Sequence, residues 1–550
     1  METTNTENKS KNSKSLVKSG LVLSLMTFAS RIMGLIREMT KASFLGTSMY
    51  ADAFTTAFML PNLFRRLFAE NAVSAAFIPT FKSYLSKGDD EENHKSTQEF
   101  INATFTLVTF LTACVVIIGI VASPLISLIF CHKPVDTQSA DYAIQLQAWL
   151  LKKDEVTVLS RIMFPYLTLI SIAALFQGIL NGHKIFAPSG VTPVFFNGIV
   201  ILATYILSPF TANPARAMSI GTLLGGSVQA LFQWPYVRKT GWKICFTSLK
   251  KTFSNPGTKK VIALVGPTII GIAAYQLNDV FSTSFANRIG EGVTSSLQYS
   301  LRLQELILGI FAVSIGTVIL PDLTGYANKN QWDDYNTTLS QAIKIMILIS
   351  IPVTVYSLLT GKELISLLYK KNQFGDESVM LTLGVFRYHI AGLLFIALNR
   401  IIAPAFYAQG NSKLPAAAGV VSFAVNILLV FILSKTMQGN GIALALSLAS
   451  FANTIVLFIF MKKLGTFKIG YILKNSIIYI VKITIYSIIA IIPTYFVHNF
   501  FVNAMANNGR LIAYGVPVLI SAIVFGAVGV LLLIITKDDI TKVLIKKVRK

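Results

Sequence analysis

Arg65 and Arg66 stand in the middle of an apolar stretch, Ala53–Leu85, that is long enough to cross a bilayer, and Glu70 follows them. A charge at that depth costs roughly 2.5–3.5 kcal/mol on insertion scales, so it faces protein or a wet cavity rather than lipid. Asn62, Arg66 and Glu70 recur every fourth residue, which on an α-helix sets them on one face. Arg31 lies well inside the first apolar stretch. Arg37, Glu38 and Lys41 follow nearer its end, where long stems can snorkel to the surface. Further along, Ser295, Gln298, Arg302 and Glu305 also recur at helical spacing inside a span. Arg31, Arg65, Arg66 and Arg302 outnumber the acids near them, Glu70 and Glu305. Guanidinium groups offer planar, bidentate donors that match phosphate oxygens. The chemistry expected is recognition of an anion, a phosphate or diphosphate, in a hydrated cavity inside the membrane.

Three of these features have two readings. Asp52 either complements the positive end of a helix or is a buried partner for Arg31 or Arg37. Arg302 and Glu305 either neutralise each other within one helix or line the cavity with Ser295 and Gln298. Asn278 and Asp279 can bind Na⁺ or carry a proton, or Asp279 can bridge to a cavity arginine.

The elements that position these groups are membrane spans. Of 550 residues, 53% are hydrophobic and only 13% charged, about half the charged share of a soluble domain. Apolar runs of twenty or more residues recur to the C-terminus, each able to cross ~30 Å of hydrocarbon as a helix. They are too long and too little alternating for a β-barrel. Spans are expected near 16–45, 50–84, 100–131, 159–181, 188–210, 216–238, 259–287, 293–326, 336–370, 379–408, 414–435, 439–463, 472–502 and 510–536. The fold class is therefore all-α and polytopic, with about fourteen transmembrane helices. The formal charge of +23 sits in connecting segments and at both ends. That pattern follows the positive-inside rule with both termini cytoplasmic, and argues for anionic lipid headgroups rather than nucleic acid. Cys114, Cys131 and Cys245 and the five histidines are scattered, so no disulfide or metal site is expected. There is no phosphate-binding G-x-x-x-x-G-K-[ST] loop. No cofactor is expected, and energy would come from the membrane potential or an ion gradient.

Pro79 and Pro321, Tyr84 and Tyr326, and Lys87 and Lys329 are each 242 residues apart, at the same end of a span. This predicts a duplication: two parallel six-helix lobes around a central cavity, with two further helices at the C-terminus. The expected boundaries are a polar, disordered N-terminus (1–15), an N-lobe (16–238), a cytoplasmic linker (239–258), a C-lobe (259–463), two C-terminal spans (464–536) and a basic tail (537–550). The longest exposed segments are expected at 82–99, 132–158 and 239–258.

SRIMGLIRE (Ser30–Glu38), ADAF (Ala51–Phe54), LPNLFRRLFAENAVSAAFIP (Leu60–Pro79), FPYLTLISIAALFQGILN (Phe164–Asn181) and APAFYAQGNSKLP (Ala403–Pro415) together resemble the MurJ/MviN family. These are flippases of the multidrug/oligosaccharidyl-lipid/polysaccharide exporter superfamily. The P-N-L-x-R-R-x-F-A-E block is the specific part of the match. The resemblance implies a non-enzymatic transporter of the cytoplasmic membrane, acting as a monomer beside cell-wall synthesis proteins. It would carry lipid II, the undecaprenyl-diphosphate-linked peptidoglycan precursor, to the outer leaflet by alternating access. The alternatives are another polyprenyl-diphosphate glycan or, against the arginine excess, a drug/cation antiporter. Carried over from the family, Arg31, Arg37, Arg65, Arg66 and Arg302 engage the headgroup, and Asp52, Asn62, Glu70, Ser295 and Glu305 line the cavity or its gate. The two C-terminal spans resemble those that form a groove for the lipid tail. The eighth span departs from the family's A-D-R-L-x-E-F-P, reading Ser300-Leu301-Arg302-Leu303-Gln304-Glu305-Leu306-Ile307.

Overall fold

A computed structural model describes residues 26–71, 76–88, 90–134 and 140–541, with the side chains of 69–71, 267–276 and 310–318 outside the description. All regular structure among the described residues is helical. Short of a closed barrel, that is the only way to satisfy backbone N–H and C=O groups in hydrocarbon. The chain divides into two compact units, which change over after Val280.

In the first unit, α1 (26–45) turns at Gly46 into α2 (Met49–Phe64), which continues as a π-helical segment, Arg65–Asn71. There follow α3 (Ile78–Leu85), α4 (Glu91–Phe130), α5 (Tyr142–Met163), α6 (Tyr166–Gly182), α7 (Ala187–Leu207), α8 (Pro214–Lys239) and the short α9 (Leu249–Ser254). Helix α10 (Pro256–Ile289) carries the chain into the second unit. That unit contains α11 (Val293–Asn328), α12 (Trp332–Tyr369), α13 (Asp376–Ala391), α14 (Leu393–Ala408), α15 (Lys413–Leu464), α16 (Ile469–Met505) and α17 (Arg510–Ile535).

Local chemistry sets several of these ends. Asn213 accepts the Arg216 N–H at 3.1 Å ahead of Pro214 in the first turn of α8. Asn255 accepts the N–H groups of Gly257 and Thr258 at 2.9 and 3.2 Å ahead of Pro256. An N-cap side chain satisfies orphan donors, and proline has none to lose there.

Two spans differ from expectation. Residues 142–158, expected in an exposed segment, form most of α5. Their charges lowered the apolar signal, and two of them, Lys152 and Glu155, are paired to partners on other helices. At Phe164–Pro165 α5 gives way to α6, because proline lacks the N–H that would continue the ladder. The expected span 379–408 is likewise two helices, bent by 44° at Gly392. Helix α15 comprises the two spans expected at 414–435 and 439–463. Gln438 reverses the chain at φ 52°, and the Ser422 hydroxyl donates to the Ala449 carbonyl at 2.9 Å across the arms.

The connection after α8 lies along α4. Gln98, Asn102 and Thr106, spaced every four residues, hydrogen-bond the backbone N–H groups of Lys243, Cys245 and Thr247, each at 3.0 Å. A helix repeating every 3.6 residues and an extended strand repeating every two are thus matched rung for rung. Beneath it, Phe77, Phe81, Phe100, Phe105, Phe176 and Ile179 form a buried cluster within the first unit.

Close helix approach generates the first prediction. A Cβ on Gly392 would lie 2.3 Å from the Ser447 hydroxyl and 2.8 Å from its Cα, and one on Gly441 would lie 2.3 Å from the Leu433 carbonyl oxygen. Gly392→Ala and Gly441→Ala should each cost about 1–3 kcal/mol by overpacking and lower the unfolding temperature of the detergent-solubilised protein. Gly419→Ala, with nothing within 4 Å of the added carbon, should not.

Candidate functional site

Most of the polar groups singled out by sequence lie on α1, α2, α10 and α11. In the first unit they fall into two sets. The first sits where α1 runs into α2. Asp52, in the first turn of α2, has no exposed surface and accepts Lys152 Nζ of α5 at 3.3 Å. One turn along α5, the buried Glu155 accepts Arg216 Nε at 3.0 Å, Arg216 Nη2 at 2.8 Å and the Asn213 amide at 3.0 Å. Lys41, buried on α1, donates to the Thr55 hydroxyl at 3.1 Å. Arg37 donates to its neighbour Glu38 at 2.8 Å, with its guanidinium 5.8 Å from the centre of the Phe196 ring.

Asp52 therefore pairs with a lysine, not with Arg31 or Arg37. Its partner lies in the stretch expected to be exposed. Removing one side of a buried pair strands the other, whereas complementary pairing offsets the desolvation. This set fixes four helices to one another.

The second set lies further along α2. Arg65 places Nε and Nη2 on Asn62 Oδ1, at 3.1 and 3.0 Å. Arg66 Nη1 lies 3.7 Å from Asp279 Oδ2 on α10, and the carboxylate is 58% exposed. Asn278, beside it, is half-buried. The helix widens into a π turn at Arg65, inside the stretch whose α-helical spacing grouped Asn62, Arg66 and Glu70. The side chain of Glu70 lies outside the described residues. Arg31, half-buried on α1, has no ion pair or hydrogen bond among the described residues. Next to it, the Asn197 amide of α7 donates to the Ser30 carbonyl at 3.4 Å.

In the second unit the expected stripe on α11 splits. Ser295 is wholly buried, its hydroxyl donating to the Gly292 carbonyl at 3.1 Å. It lies between Val293 and Leu297 of an apolar cluster. Gln298 is half-buried. Arg302 donates to Glu305 at 2.7 Å, and both side chains keep substantial exposure, 37% and 49%. The pair is intrahelical and accessible at once. Among the described residues, no group of three or more His, Cys, Asp or Glu side chains is placed to hold a metal ion.

Sequence reasoning missed Lys152, Glu155, Arg216 and Arg161. The run Lys152-Lys153-Asp154-Glu155 read as a solvated segment. The signal against that reading was local: Val156, Leu159 and Met163 continue at helical spacing straight through it.

A sequence profile of the family described as "Lipid II flippase MurJ" matches residues 41–510. A Treponema pallidum protein named "Probable lipid II flippase MurJ" is 43% identical over 542 residues, covering 98% of this chain and 99% of the relative. A Vibrio cholerae protein of the same name is 32% identical over 452 residues, covering 81% and 83%. Among solved structures, "Lipid II flippase MurJ, inward closed conformation" superposes with TM-score 0.74 at 24% identity, covering 94% of this chain and 99% of that one. An inward-facing MATE family transporter of the MOP superfamily superposes with TM-score 0.62 at 15% identity, covering 83% and 99%. These two likenesses concern the fold alone.

The buried Asp52–Lys152 pair is open to a double-mutant test. Lys152→Ala leaves a wholly buried carboxylate without its cation and should cost about 3–5 kcal/mol. Combining Lys152→Met with Asp52→Asn removes both charges and should restore much of that loss. Thermal unfolding of the solubilised variants measures both, and additive effects would show that the two groups do not interact.

Proposed function

The chain belongs to the lipid II flippase MurJ family, and from that membership we propose that it moves lipid II across the cytoplasmic membrane by alternating access. Both termini would lie on the cytoplasmic side, from which the headgroup enters. No bond is made or broken in this transfer, so the protein acts as a carrier and not as a catalyst.

The observation that supports the reading best is the imbalance of charge on the spans themselves. Arg31 has no partner among the described residues, Arg65 rests on a neutral amide, and the Asp279 carboxylate 3.7 Å from Arg66 is more than half exposed. A diphosphate would bring negative charge to these groups, and guanidinium forks bind it bidentately. Arg302, paired to Glu305 yet accessible, would exchange its carboxylate for a phosphate oxygen when the headgroup arrives. The substrate drives the switch between states only by binding one of them more tightly than the other. An inside-negative potential assists the return of an empty, cationic site, by about 2.3 kcal/mol for each charge moved fully across 100 mV. A cationic drug would meet repulsion from the same arginines, so the likeness to a MATE fold does not extend to its substrate.

Complementation tests the assignment. In a bacterium depleted of its own flippase, wild-type chain should restore growth. Arg31→Ala and Arg302→Ala should fail to do so at normal protein levels, and Arg31→Lys should restore it only weakly, because a point charge lacks the planar fork. Normal growth with both alanine variants would overturn the proposed roles. Native mass spectrometry with lipid II and another polyprenyl-diphosphate glycan reads the substrate itself: preferential retention of lipid II is expected, and equal retention of both would point to a broader carrier.

A further inference from the structure

We propose that each unit holds the phosphate of a bilayer phospholipid on a lipid-facing arginine placed just before the break in its bent span: Arg161 in the first unit and Arg387 in the second. The proposal is independent of the transported substrate.

The two arginines occupy similar but not identical places. Each unit has a long helix, α4 of 40 residues or α12 of 38, followed by a pair of helices joined at a break. Arg161 lies two residues before the end of α5 at Met163, and Arg387 four before the end of α13 at Ala391. Both side chains are exposed. Neither forms an ion pair among the described residues, unlike the buried cations of the first unit.

Their nearest surroundings are largely apolar. Arg161 shares its side of α5 with Leu150, 41% exposed, and, two turns back, with Asp154, whose carboxylate pairs with Lys153 at 3.2 Å. The arginine lies against α4, which presents Val121 and Leu125 at 74% and 60% exposure. Arg161 Nε donates to the wholly buried Ser123 hydroxyl of α4 at 3.0 Å. This bond fixes the guanidinium plane and leaves the Nη groups to other partners. Arg387 follows Met380, 54% exposed, by two helical turns on one face of α13. An arginine on a face of this kind has acyl chains for neighbours, and its donors need an anion carried by the lipid.

The reach is adequate. Ser123 lies seven residues before the end of α4 at Phe130, about 10 Å at 1.5 Å per residue. Side chains on a helix lean toward its N-terminus. For both α5 and α13 that direction leads away from the break, and a long stem can snorkel along it toward headgroups. The group found there with the geometry for a bidentate guanidinium is a phosphate diester.

Native mass spectrometry of the full chain provides the test, with phosphatidylglycerol and the phosphate-free diglucosyldiacylglycerol offered separately. Wild-type protein should retain two phosphatidylglycerol molecules under conditions that strip the glycolipid. Arg161→Gln and Arg387→Gln should each lose one, with occupancy falling about tenfold or more, as expected for charge-assisted bonds. The double variant should lose both, and Arg161→Lys should keep only part of its binding, because a point charge lacks the planar fork. Unchanged unfolding temperatures would show that the variants are folded. A wild-type adduct pattern in the double variant, or equal retention of the phosphate-free lipid, would overturn the proposal. So would displacement of phosphatidylglycerol by equimolar lipid II, which would make these positions part of the transport path.

Discussion

A charged side chain at membrane depth must meet an opposite charge or be reachable by one. The first unit answers this constraint in two ways. Where α1 turns into α2, buried carboxylates are matched by cations, Asp52 with Lys152 and Glu155 with Arg216, and the buried Lys41 donates to a hydroxyl. Further along α2 and on α1, cations are held on amides, on a loosely placed carboxylate, or on nothing among the described residues. The first arrangement makes a rigid corner. The second keeps its arginines partly exposed, and it is the second that suits the anionic passenger proposed.

Much of this was legible in the sequence, for a physical reason. A span must bury about twenty apolar residues whatever its neighbours do, so hydropathy locates it. For the same reason, Arg31, Arg65, Arg66 and Arg302 stood out as charges that hydrocarbon would not tolerate. What the residues could not show were the partners. Lys152 and Asp52 are 100 residues apart in the chain, and neither carries a mark of the other. A run of four charges reads as exterior until its counter-ions are known, and α5 was cut short on that account. Nor could α-helical spacing show that the helix widens at Arg65, inside the stretch that holds Asn62, Arg66 and Glu70.

Family membership and geometry contribute different parts of the functional reading. Membership, resting on 43% identity along nearly the whole chain, supports the passenger proposed. Geometry supplies the reason a diphosphate suits it. The repeat seen in Pro79 and Pro321 also has a counterpart that their apolar surroundings concealed. Both units interrupt the span after their long helix, one with proline and the other with glycine. The two residues act differently at the break: proline withholds an amide proton from the ladder, and glycine, lacking a Cβ, lets Ser447 pack close beside it.

The Asp52–Lys152 pair also bears on how the chain is made. Asp52 emerges from the ribosome a hundred residues ahead of its cation, and at roughly 5–20 residues per second that is an interval of about 5–20 seconds. During that interval α2 cannot make this contact, and the corner joining α2 to α5 is completed only once α5 has been synthesised.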